Sequence, residues 1–90
     1  MLKALVLATL IQGNCFPEAH VTKQLFDKYH EAPIVTGTLT DGSEIRIYSA
    51  PNGDTFTITV ILPTGLACLV ATGRDLHPLK GQDDRFNESY

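Results

Sequence analysis

Hydrophobic positions change their spacing twice along this chain of 90 residues, and the changes divide it into three parts. Ala4 to Ile11 (ALVLATLI) is apolar without a period. Val21, Leu25 and Tyr29 then recur four apart, with Phe26 widening the stripe and Thr22, Lys23, Asp27 and Lys28 opposite it, which is the pattern of an amphipathic helix. Pro17 suits a first helical turn, where its missing N–H costs nothing, and Glu18 complements the positive end of the helix dipole. Pro33 disfavours helical geometry at Ala32, so the helix is expected to end near His30 or Glu31 after about four turns.

Beyond Pro33 the period falls to two, and turn residues arrive at the intervals of an antiparallel meander. Four strands fit: residues 34–40, 43–49, 55–62 and 66–72. Asp41-Gly42 suits a two-residue hairpin turn, and Pro51-Asn52-Gly53-Asp54 and Pro63-Thr64-Gly65 make the next two connections. Phe56, Ile58, Val60 and Leu62 alternate with Thr55, Thr57 and Thr59, which marks the third strand as central. Gly73 ends the last one. The expected fold is α+β: one amphipathic helix packed on a four-stranded antiparallel β-meander over residues 14–75. A signal peptide-like segment precedes it at 1–13, and a flexible polar tail follows at 76–90. No internal repeat is visible.

Composition narrows the class. With 43% hydrophobic residues, 19% charged and a net charge of −3, the chain lies outside the disordered and strongly basic classes. Its seven Lys and Arg residues are scattered, without the cluster that phosphate binding requires, so no nucleic acid partner is expected. Lys3 ahead of the apolar run resembles the charged start of an export signal, and a cut after Gly13 is acceptable. The run falls short of the about 20 residues that span a bilayer, so no stable membrane span is expected. The sequence before Cys15 lacks the small-residue arrangement of a lipid-modified cysteine, and the other reading of the run is a buried first element of a cytosolic domain. In an exported chain this short, whose core is marginal, Cys15 and Cys68 most simply pair; the alternative is two separate buried thiols.

Taken together, these landmarks resemble a group of short secreted proteins found widely in alphaproteobacteria, for which no activity is established. The resemblance covers residues 15–75. It rests on Cys15 with Pro17, Val21 and Leu25, on Tyr29-His30-Glu31, Gly37, Leu39, Asp41-Gly42 and Ser49-Ala50-Pro51-Asn52-Gly53, and on Phe56-Thr57, Pro63-Thr64-Gly65 and Cys68-Leu69-Val70-Ala71-Thr72-Gly73. The group usually has Tyr-Gly-Glu at the helix end, Trp-Thr in the third strand and Trp after the last glycine. His30, Phe56 and Leu76 stand at those places here. The resemblance implies an exported protein with Cys15 bonded to Cys68, and it implies no activity.

Candidate chemistry is sparse. His20, His30 and His77 lack the spacing of a metal site, even with Gln24 or Asp27 beside His20, and nothing calls for a cofactor. Tyr29, His30 and Glu31 form the one candidate acid–base set, with packing and solvation as their bland alternative. No catalytic triad or phosphate-binding glycine loop is present. Asn87-Glu88-Ser89 matches a glycosylation acceptor, which matters only in a eukaryotic secretory route. If the bond to Cys68 carries the helix start onto the last strand, then Cys68, Val70, Phe56, Ile58, Val60, Leu62, Ile45 and Ile47 face the helix. Glu44, Arg46, Tyr48, Thr55, Thr57 and Thr59 would then form an open, polar sheet face. Arg46, Tyr48, Thr55, Thr57 and Thr59 are the candidate binding face, offered to a protein partner by an accessory or binding module; a small enzyme or an anchored structural subunit are the alternatives.

Overall fold

The computed structural model describes residues 14–79. Its elements are strand β1 (Cys15–Pro17), helix α1 (Glu18–Tyr29), strands β2 (Ala32–Thr38) and β3 (Glu44–Ser49), a 3-10 turn (Pro51–Gly53), and strands β4 (Thr55–Ile61) and β5 (Leu66–Arg74). The signal-like segment at 1–13 and the tail from residue 80 onward lie outside the described residues.

The strands form one antiparallel sheet in the order β1-β5-β4-β3-β2, so the four-stranded meander is corrected to a five-stranded sheet. β4 lies between β3 and β5, as its alternation predicts. The missed strand is β1. Three residues are too few to display a period, and β1 exists because Cys15, Phe16 and Pro17 lie opposite Cys68, Ala67 and Leu66. Cys15 and Cys68 are bonded, with Cα atoms 3.9 Å apart. Closing a loop across that sequence separation of 53 stabilises the fold by about 4 kcal/mol through the unfolded chain.

Pro17 therefore both ends β1 and caps the start of α1, whose first helical residue is Glu18. The chain crosses directly from β1 into α1, whose Glu18 N–H donates to the Gly65 carbonyl at 3.1 Å. At 12 residues the helix is shorter than expected, because His30 leaves it in the left-handed conformation at φ 56° and ψ 33°. The N–H groups of His30 and Glu31 close it on the Phe26 and Leu25 carbonyls at 3.0 and 3.1 Å. Left-handed geometry crowds the Cβ of any residue but glycine, so this is the point where a Tyr-Gly-Glu ending would relieve strain that Tyr29-His30-Glu31 retains.

The larger correction concerns the faces. The core contains Val21 and Leu25 of the helix with Tyr48, Ile61 and Ala67 of the sheet, and Leu69 packs against it. In the ladder, Tyr48 lies opposite Thr57, Arg46 opposite Thr59 and Glu44 opposite Ile61, so the row taken for an open polar face lies beneath the helix. Ile45 opposite Val60 and Ile47 opposite Ile58 form the other face. The reason lies in β1. Directly opposed side chains of an antiparallel pair point to the same side, so the Cys15–Cys68 bond needs only strand register and does not dictate which face the helix covers. Val60 lies opposite Cys68, which puts the disulfide on the face away from α1.

Two backbone approaches complete the frame. The Phe56 ring lies over Gly73, where an added Cβ would come within 2.6 Å of it. After β5, the Leu76 N–H donates to the Gly53 carbonyl at 2.9 Å, so the start of the expected polar tail is tied to the 3-10 turn. Replacing His30 by glycine is expected to stabilise the domain by about 1 kcal/mol, read as a rise in thermal midpoint of roughly 4–8 °C. An unchanged or lowered midpoint would show that the side chain of His30 outweighs the backbone strain.

Candidate functional site

The five candidate binding-face residues are brought together beneath the helix, and their bonds go to the helix, to Glu31 just past it and, from Thr59, to the backbone of β3. At its start, Arg46 Nη1 donates to Glu18 Oε2 at 2.6 Å, while Arg46 Nε donates to Glu44 Oε2 at 2.8 Å. At its middle, Thr22 Oγ1 and the Tyr48 hydroxyl share a hydrogen bond of 2.8 Å. Past its end, Glu31 accepts from the Thr55 hydroxyl at Oε2 and from the Thr57 hydroxyl at Oε1, both at 2.7 Å. Thr59, fully buried, donates to the Arg46 carbonyl at 3.1 Å. The threonine row is thus polar because Thr55 and Thr57 satisfy the carboxylate buried just after the helix and Thr59 satisfies a carbonyl of β3. Such a row costs little when every member is paired, and no buried side-chain N or O among the described residues lacks a partner.

Electrostatics follow from the same contacts. Hydrogen bonds from Arg46 and then from the Thr36 hydroxyl hold the Glu44 carboxyl below its ordinary range. Its carboxylate partners, Glu44 before Glu18, raise the Arg46 guanidinium further above its own. In the hairpin between β2 and β3, the Ser43 N–H donates to Asp41 Oδ1 at 2.9 Å and lowers that carboxyl as well.

Tyr29, His30 and Glu31 do not converge. Tyr29 and Glu31 line a cavity of about 290 Å³ that also touches Thr55 and Thr57. His30 lines a separate groove of about 730 Å³ with Phe26, Ile34, Val35, Ile47 and Leu76. The left-handed turn at His30 is what sends neighbouring side chains to different places. Glu31 is 2% exposed, and the sequence offers no sign of that burial. Of the remaining histidines, His20 has its ring centroid 6.1 Å from that of Phe16, and His77 Nδ1 lies 2.9 Å from the Asp75 carbonyl oxygen. Among the described residues no three His, Cys, Asp or Glu side chains are grouped to hold a metal.

The feature that sequence reasoning missed is the opposite face. Ile45, Ile47, Phe56, Ile58 and Val60 are partly exposed there, and no described element lies over them. At the β2 end the patch continues through Val35 and Ile34, each 54% exposed, and the flanking Phe26 of the helix, 58% exposed. A signal for it was present. One helix covers only one side of a sheet, so the strong Ile/Val/Phe alternation allowed either row to stand bare.

The class defined by this geometry is an α+β domain in which a disulfide-linked antiparallel sheet carries a helix on its polar face and, among the described residues, no element on its apolar face. Compared with protein-family models, curated proteins and solved structures, the chain matches none.

Two outcomes are expected from these contacts. Thr57→Val removes the donor to a buried carboxylate oxygen and should cost roughly 1–3 kcal/mol in denaturant unfolding, with a smaller loss when Glu31 is already Gln. Equal losses in both backgrounds would mean that the pair is uncoupled. For pH, the folded Glu44 carboxyl titrates below its reference value of 4.5. Its contribution is therefore full above that pH and is lost as pH falls through the lower folded value. Glu44→Gln should lower stability at neutral pH and flatten the acid limb of a stability–pH curve; parallel curves would refute the linkage.

Proposed function

We propose that this chain is an exported domain that works, oxidised, as a binding or accessory module of the cell envelope or the secreted space, contacting a protein partner. The observation that carries the reading is the apolar face of a disulfide-closed sheet, over which no described element lies. Monomeric soluble proteins rarely expose contiguous apolar patches of more than a few hundred Å², and larger ones mark interaction surfaces. Export accords with the Cys15–Cys68 bond, since disulfides persist in oxidising compartments. It accords also with the charged and apolar start of the sequence and with the resemblance to short secreted alphaproteobacterial proteins. No described helix is long and apolar enough to cross a membrane. The surface proposed for contact is the Ile45, Ile47, Ile58 and Val60 face, because the side chains of Arg46, Tyr48, Thr55, Thr57 and Thr59 are engaged within the chain by the helix, Glu31 and the Arg46 carbonyl.

Expression in bacterial cells with an export route, followed by intact mass before and after thiol alkylation, tests the reading. The expected species lacks residues 1–13, is two hydrogens lighter than the dithiol form and takes up no alkylating agent until reduced. A full-length chain with both thiols alkylated in native material would overturn it.

A further inference from the structure

We propose that the bare face is closed by a second copy of this chain, the two sheets stacking face to face about a two-fold axis into a β-sandwich. The inference rests on the reading of the open face as a contact surface and names the partner. Three observations favour self-association.

The first is charge. A two-fold contact brings each patch onto itself, so a patch with formal charge near its axis would repel its own copy. On β3 and β4 the outward positions are Ile45, Ile47, Ser49, Phe56, Ile58 and Val60, none of them charged, whereas Glu44 and Arg46 both lie on the helix side. A neutral apolar surface is complementary to itself.

The second is the state of the edges, which offer the competing mode of association. β1 is three residues long and ends in Pro17. β2 carries Pro33, and its ladder to β3 shifts register between Pro33 and Val35. Short edges, prolines and bulges disfavour the addition of a further strand at β1 and at the start of β2. The stretch of β5 that extends beyond β1, residues 70–74, has no described strand on its outer side, and the variants on the face separate pairing at that edge from stacking of the faces.

The third is area. Four strands about 4.8 Å apart and roughly six residues long present a face of about 19 by 20 Å. Stacking two such faces covers roughly 800 Å² of flat area, and the flanking Phe26 and Ile34 raise this to about 1,000 Å², the lower limit for a specific interface. The groove of about 730 Å³ beside Val35 and Ile47 gives the partner's side chains a place to enter. An interface of this size predicts a reversible dimer in the micromolar range rather than an obligate one.

Sedimentation velocity on the oxidised protein, as processed by the export host, from about 1 to 200 µM, is the test. The expected result is a mass rising with concentration to twice that of the single chain. Val35 is 54% exposed, so Val35→Lys should fold unchanged by circular dichroism yet weaken association at least about tenfold by placing an ammonium in the contact. Ile58→Lys, nearer the centre, should abolish it; if that variant does not fold, Val35→Lys decides alone. Lys23→Ala, on the exposed side of the helix, should dimerise like the parent.

A processed, disulfide-bonded chain that stays monomeric at every concentration overturns the dimer, and leaves the binding-module reading standing with a different protein on the face. A monomer that retains residues 1–13 overturns the dimer too. Dimerisation unaffected by both lysines would overturn the choice of face.

Discussion

The arrangement of this domain depends on how a single short helix is held. Only Val21 and Leu25 of α1 are buried. Two apolar side chains contribute about 3–6 kcal/mol, which leaves little margin in a small core. Polar contacts supply what the apolar stripe does not: Glu18 with Arg46 at the start, Thr22 with Tyr48 in the middle, and Glu31 with Thr55 and Thr57 past the end. These contacts need the Arg46, Tyr48 and threonine row beneath the helix. Once that row is inside, the isoleucine row is outside.

The disulfide acts at a different point in the hierarchy. It joins β1 to β5 and so adds the fifth strand, and it constrains the unfolded chain, but its sulfur atoms lie on the face away from the helix. The helix start is positioned by the crossing from β1 and by the Glu18 N–H on the Gly65 carbonyl. The bond thus fixes where the chain enters the fold and leaves the choice of face to side-chain pairing.

This division links the fold to the proposed activity. A sheet with helices on both faces would be closed, whereas among the described residues one helix lies on a polar row and the neutral apolar surface has no element over it. Such a surface is well suited to a broad, uncharged partner surface and poorly suited to a small charged substrate. The cavity beside Tyr29 and Glu31 and the groove beside His30 are separate, so no acid–base centre is assembled from the three neighbours.

Local chemistry was legible. Period-two alternation with Asp41-Gly42, Pro51-Asn52-Gly53-Asp54 and Pro63-Thr64-Gly65 announces β2 to β5 and their order, and the four-residue spacing of Val21, Leu25 and Tyr29 announces α1, because these signals act over a few neighbouring residues. The two cysteines announced a bond, since a short chain with a small core has few other supports. Tertiary structure alone decided that Cys15–Pro17 is a strand, that Glu31 is buried on two threonines, and that the helix covers the polar row. The physical reason is common to all three. Alternation assigns residues to two faces without saying which is inside, and that choice belongs to partners 24 to 28 residues apart, Glu31 with Thr55 and Thr57 and Glu18 with Arg46, whose pairing no local pattern encodes.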